Sequence, residues 1–179
     1  MTTPSSPTRL IVLRGNSASG KSSVATGLRE RHGRGIALVR QDVLRREVLR
    51  ERDIPGGANI GLIDLTVRHA LANGFHTVLE GILYLAHYGE MLTGLLADFP
   101  RRTHCYYLDV PFEETLARHA TKPIADEVTE HQLREWYRPL DVLPGGVETV
   151  VPAASPLEET VERVLRESGL CDVLRSGAR

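Results

Sequence analysis

The chain is predicted to fold as a three-layer α/β protein, with five parallel strands in one sheet and helices on both faces. Three observations carry this. Five short apolar runs recur along the 179 residues, separated by stretches of helical spacing, which is the rhythm of a parallel sheet. The runs are apolar nearly throughout rather than alternating, as strands buried on both faces are. The first run also opens into a glycine-rich loop followed by a helix, Gly15-Asn-Ser-Ala-Ser-Gly-Lys-Ser22.

Taken in order, residues 1–8 are polar and Pro-rich and read as a flexible tail, followed by a single domain over 9–179. Arg9–Arg14 is the first strand, and Lys21–Arg31 the first helix, stopped at Gly33 and Gly35. Ile36–Arg40 is the second strand and Val43–Glu51 a helix behind it. Ile60–Ala72 is a helix ended before Gly74, and His76–Glu80 the third strand. Ala86–Ala97, strand His104–Asp109 and helix Glu113–Ala120 follow, with Asp109 expected to cap the last and Pro111 to sit at its first position. Glu130–Tyr137, strand Val147–Val151 and helix Leu157–Glu167 complete the chain.

Composition narrows the classes. Lys plus Arg number 22 against 23 Asp plus Glu, so no global field draws the chain to nucleic acid, and a nucleic-acid partner is not expected. No apolar run approaches membrane-spanning length, and the opening residues lack the basic and apolar regions of a signal peptide, so a cytoplasmic protein is expected. The two cysteines are not spaced as a redox or zinc pair, and the seven histidines are scattered singly.

Residues 15–22 match G-x-x-x-x-G-K-[ST] in the strand–loop–helix setting that the motif requires. Glycine lets the backbone wrap phosphate oxygens where a Cβ would collide. Successive N–H groups and the helix N-terminus point at the anion. The residues expected to cradle ATP are Gly15, Asn16, Ser17, Ala18, Ser19, Gly20, Lys21, Ser22 and Ser23. Lys21 is placed to reach the β/γ-phosphates and act in catalysis, and Ser22 to ligate Mg²⁺.

Ligands of parallel sheets bind beyond the carboxyl ends of the strands, and carboxylates stand at three of those ends. Asp42 after the second strand is a candidate general base for a substrate hydroxyl or, alternatively, the N-cap of the helix behind it. Arg45 and Arg46, a turn further on, are candidates to contact an anionic group of the substrate; which one faces the site is open. Glu80 ends the third strand as a metal ligand beside Ser22 or as a substrate contact. Asp53–Asn59, Asp64 and Ile82–Tyr84 are expected around the substrate, with Tyr84 its aromatic contact. Residues 118–139 carry Arg118, Lys122, Arg134 and Arg138 and are expected to form a helical lid. Its arginines, Arg118 first and Arg134 second, would neutralise charge on the transferred group while the lid excludes water. Val150–Ser155, after the last strand, is placed to flank an adenine.

With these pieces in order, the chain resembles the small P-loop kinases of the nucleoside-monophosphate-kinase-like fold. Shikimate kinase, gluconate kinase, chloramphenicol phosphotransferase and the zeta-toxin-like kinases share that plan. The resemblance rests on Gly15–Ser22, Gln41-Asp42, Leu79-Glu80-Gly81, and Leu108-Asp109-Val110-Pro111 with Arg118. It implies strand order 2-3-1-4-5, ATP and Mg²⁺, transfer of the γ-phosphoryl group to a small hydroxyl compound, and a catalytic Asp at Asp42. The D-G-R and paired-Arg core of the shikimate and nucleotide kinases is absent. Glu80 followed by Gly81 also departs from the paired acids of the chloramphenicol enzyme. A regulatory NTPase switch and a zeta-toxin-like nucleotide-sugar kinase are the competing readings.

Overall fold

The computed structural model describes residues 8–121 and 128–171. Five strands form one parallel sheet: β1 (Leu10–Gly15), β2 (Ile36–Arg40), β3 (His76–Glu80), β4 (Thr103–Asp109) and β5 (Glu148–Pro152). Their order is β2-β3-β1-β4-β5, as the resemblance implies. Helices α1 (Lys21–His32), α2 (Ala58–Ala72), α3 (Leu85–Asp98), α4 (Phe112–Ala120), α5 (Glu130–Trp136) and α6 (Leu157–Glu167) connect and cover them.

The period-2 alternation of β1 builds both layers. Ile11 and Leu13 point to one face, where they pack with Val24 and Leu28 of α1 and Val161, Val164 and Leu165 of α6. Leu10 and Val12 point to the other, against Ile63 and Val67 of α2 and Leu92 and Leu95 of α3. All four β1 side chains are at most 1% exposed, so a central strand polar on alternate positions would not have served. Helix α6 comes so close to α1 that a Cβ on Gly27 would lie 2.8 Å from Val161 Cγ2. Gly27 costs helix propensity, and the close approach is its return.

Two local expectations are corrected. The segment behind β2 is not an α-helix through Glu51 but a π-helical turn over Val43–Val48, with Leu49 N–H donating to Leu44 O, five residues back, at 3.1 Å. Asp42 stands before it with helical φ −62°, ψ −39°, and its side chain caps no amide. An N-cap needs extended backbone for its side chain to reach back, so the capping alternative is not realised. Helix α4 begins after Pro111, which occupies the cap position itself, and Asp109 makes no cap bond. Glu51 instead supplies an unexpected cap. Its carboxylate accepts from Ala58 N and Asn59 N, both at 2.8 Å, at the start of α2. A hydrogen bond from the Asn59 side chain, followed by those two backbone bonds, lowers its pKa from the ordinary carboxylate value.

Candidate active site

The C-terminal ends of β1, β2, β3 and β4 converge on the loop Gly15–Gly20, which bends sharply into α1. Gly15 has φ +144°, and a Cβ there would stand 2.6 Å from Leu108 O and 2.8 Å from Ser19 Oγ. Only glycine fits where the loop passes that close to β4. Lys21 is 7% exposed, and its Nζ donates to Asn16 O at 2.7 Å and Ser19 Oγ at 3.3 Å. The ammonium is thereby curled over the loop, at the hollow where phosphate oxygens are bound in loops of this kind.

At the foot of the loop, Ser22 Oγ donates to Glu80 Oε1 at 2.9 Å, and Arg40 Nε lies 3.7 Å from the same oxygen. Glu80 shares the parity of Val78, so β3 alternation turns it to the α1 face, where Ser22 sits in the first turn. Two hard oxygen donors next to a phosphate site fit Mg²⁺, which takes one or two protein oxygens and completes its shell with phosphate and water. The pair would hold the ion, which when bound neutralises phosphate charge.

Beside the loop, a cleft of about 490 Å³ is lined by Ala18–Val24, Val110, Arg118 and the segment Val151–Leu157. This is the position expected of an adenine site. Arg118 bridges its two walls, donating to Ser19 O at 3.3 Å and Ala153 O at 3.4 Å while paired with Glu114 one turn earlier on α4. Arg134 is not brought there. It pairs with Glu130 at 3.0 Å and stacks on the Phe112 ring at 4.3 Å, because the short helix α5 turns that face onto α4. The expected lid holds α5, opened by a Thr129–Gln132 capping box, and the return segment to Pro139. Lys122 lies outside the described residues.

Asp42 is 62% exposed, and its Oδ1 accepts from Arg45 Nη2 at 3.2 Å. Arg45 is half-buried and also reaches Glu51 O at 3.2 Å, whereas Arg46 is exposed. Asp53, Asn59, Tyr84, His87 and Tyr88 gather on this side through contacts described below. Tyr84 donates to Trp136 O at 2.7 Å, and its ring lies 5.6 Å from the Arg138 guanidinium. Burial pushes its hydroxyl pKa up to about 12, so it stays protonated and serves as a donor. Asp64 is elsewhere, paired with Arg68 on α2 at 2.8 Å.

Two features escaped the sequence reading. Arg14, the residue before the phosphate loop, is completely buried. Its guanidinium donates to Leu83 O at 3.0 and 2.8 Å, to Glu148 Oε2 at 2.8 Å and to Asp141 Oδ2 at 3.2 Å. A signal existed: Arg14 has the parity of Leu10 and Val12, so β1 alternation sends it to a buried face, where a charge demands a partner. The second is Asn16. Its amide does not turn to the phosphate hollow but clasps the backbone of Arg138, donating to its C=O and accepting from its N–H, both at 2.8 Å. Only its backbone remains for a nucleotide. No local pattern reveals a clasp across 122 residues.

Among the described residues no helix is long and apolar enough to cross a membrane, and no group of three or more acidic, His or Cys side chains forms a metal centre. No curated protein matches the chain in sequence. Solved structures do. A sugar kinase from Janibacter sp. HTCC2649 superposes with a TM-score of 0.69 at 21% identity, over 94% of this chain and 98% of that one. A gluconokinase from Sinorhizobium meliloti 1021 gives 0.64 at 18% identity, over 97% and 98%. An APS kinase of Mycobacterium tuberculosis, in complex with AMPPNP and APS, gives 0.68 at 18% identity, over 90% and 97%. At such identities these relatives share the fold. Residues 10–143 match the AAA domain family, which spans the phosphate loop, Glu80 and Arg118 together, and the chain belongs to that family, built on the fold of the small P-loop kinases.

Proposed function

We propose that the protein is an ATP-dependent kinase that transfers the γ-phosphoryl group to a hydroxyl of a small molecule. The observation that carries it is a carboxylate, Asp42, standing exposed at the end of β2, at the same C-terminal end of the sheet as the phosphate loop, and held there by Arg45 rather than used as a helix cap. Lys21, Ser22 and Glu80 serve the triphosphate end, the last two with Mg²⁺, and Arg118 bridges the nucleotide walls. Asp42 accepts the acceptor's hydroxyl proton as that oxygen bonds to the γ-phosphorus, and the bond to the β–γ bridging oxygen breaks to release ADP. The sugar kinase, gluconokinase and APS kinase that share the fold support a hydroxyl acceptor. A cytoplasmic location suits an ATP-consuming enzyme of this type.

The test is ATP consumption with a panel of hydroxyl compounds, by the wild type and Asp42→Asn. Turnover should depend on one acceptor, and Asp42→Asn should bind ATP normally while losing roughly a hundredfold in kcat. Slow ATP hydrolysis indifferent to every acceptor and to Asp42→Asn would favour a nucleotide switch instead.

A further inference from the structure

Beyond the ends of β2 and β3, outside the cleft lined by Arg118 and Val151–Leu157, lies a polar network that phosphate binding does not use. His87, on the first turn of α3, has Nδ1 3.1 Å from Asp53 Oδ1. Asp53 is fixed in turn: Oδ1 lies 2.9 Å from the Tyr88 hydroxyl and Oδ2 accepts from Gln41 Nε2 at 3.2 Å. Gln41 Nε2 also donates to the Tyr88 oxygen at 2.9 Å, and that hydroxyl lies 2.9 Å from Asn59 Oδ1. Gln41, Tyr88 and Asn59 are each at most 1% exposed. The network is therefore a frame that ties the end of β2 to α2 and α3, and its solvent-reaching members are His87 and Asp53, with 19% and 18% of their side chains exposed. The His87 ring and that of Tyr84 meet nearly perpendicular, with centroids 5.6 Å apart.

The chemistry of the frame sets what His87 offers. An ionised carboxylate only accepts, so Asp53 holds a proton on Nδ1, and in the neutral ring that tautomer leaves the Nε2 lone pair as an acceptor. Nε2 makes no hydrogen bond among the described residues. The other outward group here, Asp42, likewise accepts. The arginines beside them are committed, Arg45 to Asp42 and Glu51 O, and Arg138 to Glu135 O and Tyr137 O. The outward acceptors Asp42 and His87 complement a ligand that presents O–H groups.

Resting on the kinase reading, we propose that His87, oriented by Asp53, is a specificity-determining residue that accepts a hydrogen bond from a second hydroxyl of the acceptor, and that the acceptor is an uncharged polyhydroxylated compound. An anionic acceptor would instead draw on Arg46, which is exposed and makes no ion pair among the described residues.

The experiment uses the whole chain loaded with AMP-PNP and Mg²⁺, so that added anions do not settle in the phosphate loop. The ¹⁵N resonances of His87 are followed on titration with glycerol, D-glucitol and myo-inositol, and with glycerate and D-gluconate as matched acids. Nδ1 should carry the proton in the free protein. At least one polyol should shift Nε2 saturably and bind at least as tightly as its acid. His87→Asn keeps a donor for Asp53 but loses Nε2, and should weaken that polyol about tenfold, the scale of one hydrogen bond. His87→Gln, with an amide oxygen near the Nε2 position, should recover part of it. A proton on Nε2, no saturable shift with any polyol, tighter binding of the acids, or unchanged affinity in a folded His87→Asn protein would each overturn the assignment. A polyol that binds in this way yet is never phosphorylated would count against the kinase reading alone.

Discussion

Replacing Arg14 by Met should be among the most damaging single changes available to this fold. Arg14 is 0% exposed and makes four hydrogen bonds, two to Leu83 O and one each to Glu148 and Asp141. Met retains most of the volume, so the cavity term is small and the loss is electrostatic. Glu148 has 1% side-chain exposure, and without Arg14 its carboxylate keeps only the Leu143 N–H at 2.6 Å. Stripping one partner from a buried pair costs about 3–5 kcal/mol, because the remaining charge is buried uncompensated. Leu83 adds to this, since its φ of +48° is a strained conformation and its carbonyl would lose both guanidinium bonds. Against a total stability of about 5–15 kcal/mol, the variant should lose a large fraction. In thermal terms this is roughly 6–20 °C for a domain of this size. Urea unfolding at pH 7 measures it, with unchanged m-values marking a true stability change. The diagnostic is a second variant: Glu148→Gln in the Arg14→Met background removes the stranded charge, keeps an oxygen for Leu143 N–H, and should recover about half of the loss. Arg14→Met costing under about 1 kcal/mol, or no recovery on adding Glu148→Gln, would refute the reasoning.

Three further outcomes follow from the site and the sheet. Lys21→Ala should leave the fold intact and lower ATP turnover on the order of a thousandfold, because Lys21 neutralises charge that grows in the transition state; steady-state kinetics with a verified circular dichroism spectrum decides it. Arg118→Ala should lower kcat more than it raises the ATP KM if its bridge between Ser19 O and Ala153 O is exchanged for the γ-phosphoryl group during reaction, and a pure KM effect would make it a ground-state nucleotide contact. Acid should destabilise the sheet through His76, whose Nδ1 accepts from Arg9 N–H at 3.0 Å and whose pKa burial lowers from 6.5 to about 4, with His32 nearby and lowered in the same direction. The unfolded chain takes up the proton first, so the contribution is full above pH 6.5 and is lost as pH falls toward 4, about 2 kcal/mol between pH 7 and pH 5. His76→Asn, which keeps an acceptor for Arg9 but does not titrate, should flatten the urea-midpoint profile over that range.

Much of this molecule is written locally. The phosphate loop is legible because one eight-residue segment must supply glycine where the backbone passes Leu108 O, a lysine six residues on and a hydroxyl in the first turn of the helix. The strands are legible because those covered on both faces are apolar along most of their length, and helices such as α1 and α2 because glycine follows close behind them. The places of Asp42, Glu80 and Arg118 could be read because strand ends and the helix after β4 are addresses that the chain order alone supplies.

What the tertiary structure decided lies at contacts between residues far apart in sequence. Arg14 and Glu148, 134 residues apart, and Asn16 and Arg138, 122 apart, meet only because β1 is central and β5 and the return from α5 fold back over its end. Arg45 is drawn against Asp42 and Glu51 O while Arg46 is exposed, on a π-helical turn whose side chains are rotated away from the α-helical positions that spacing predicts. Asp53 and His87 are unremarkable in sequence, one in a loop and one in a helix, and become a pair only when α2 and α3 pack side by side on the same face of the sheet. Local pattern determines which face of an element is buried, because that depends on a residue and its near neighbours. Which polar groups must satisfy one another in the interior depends on the packing of whole elements, and only the folded chain decides it.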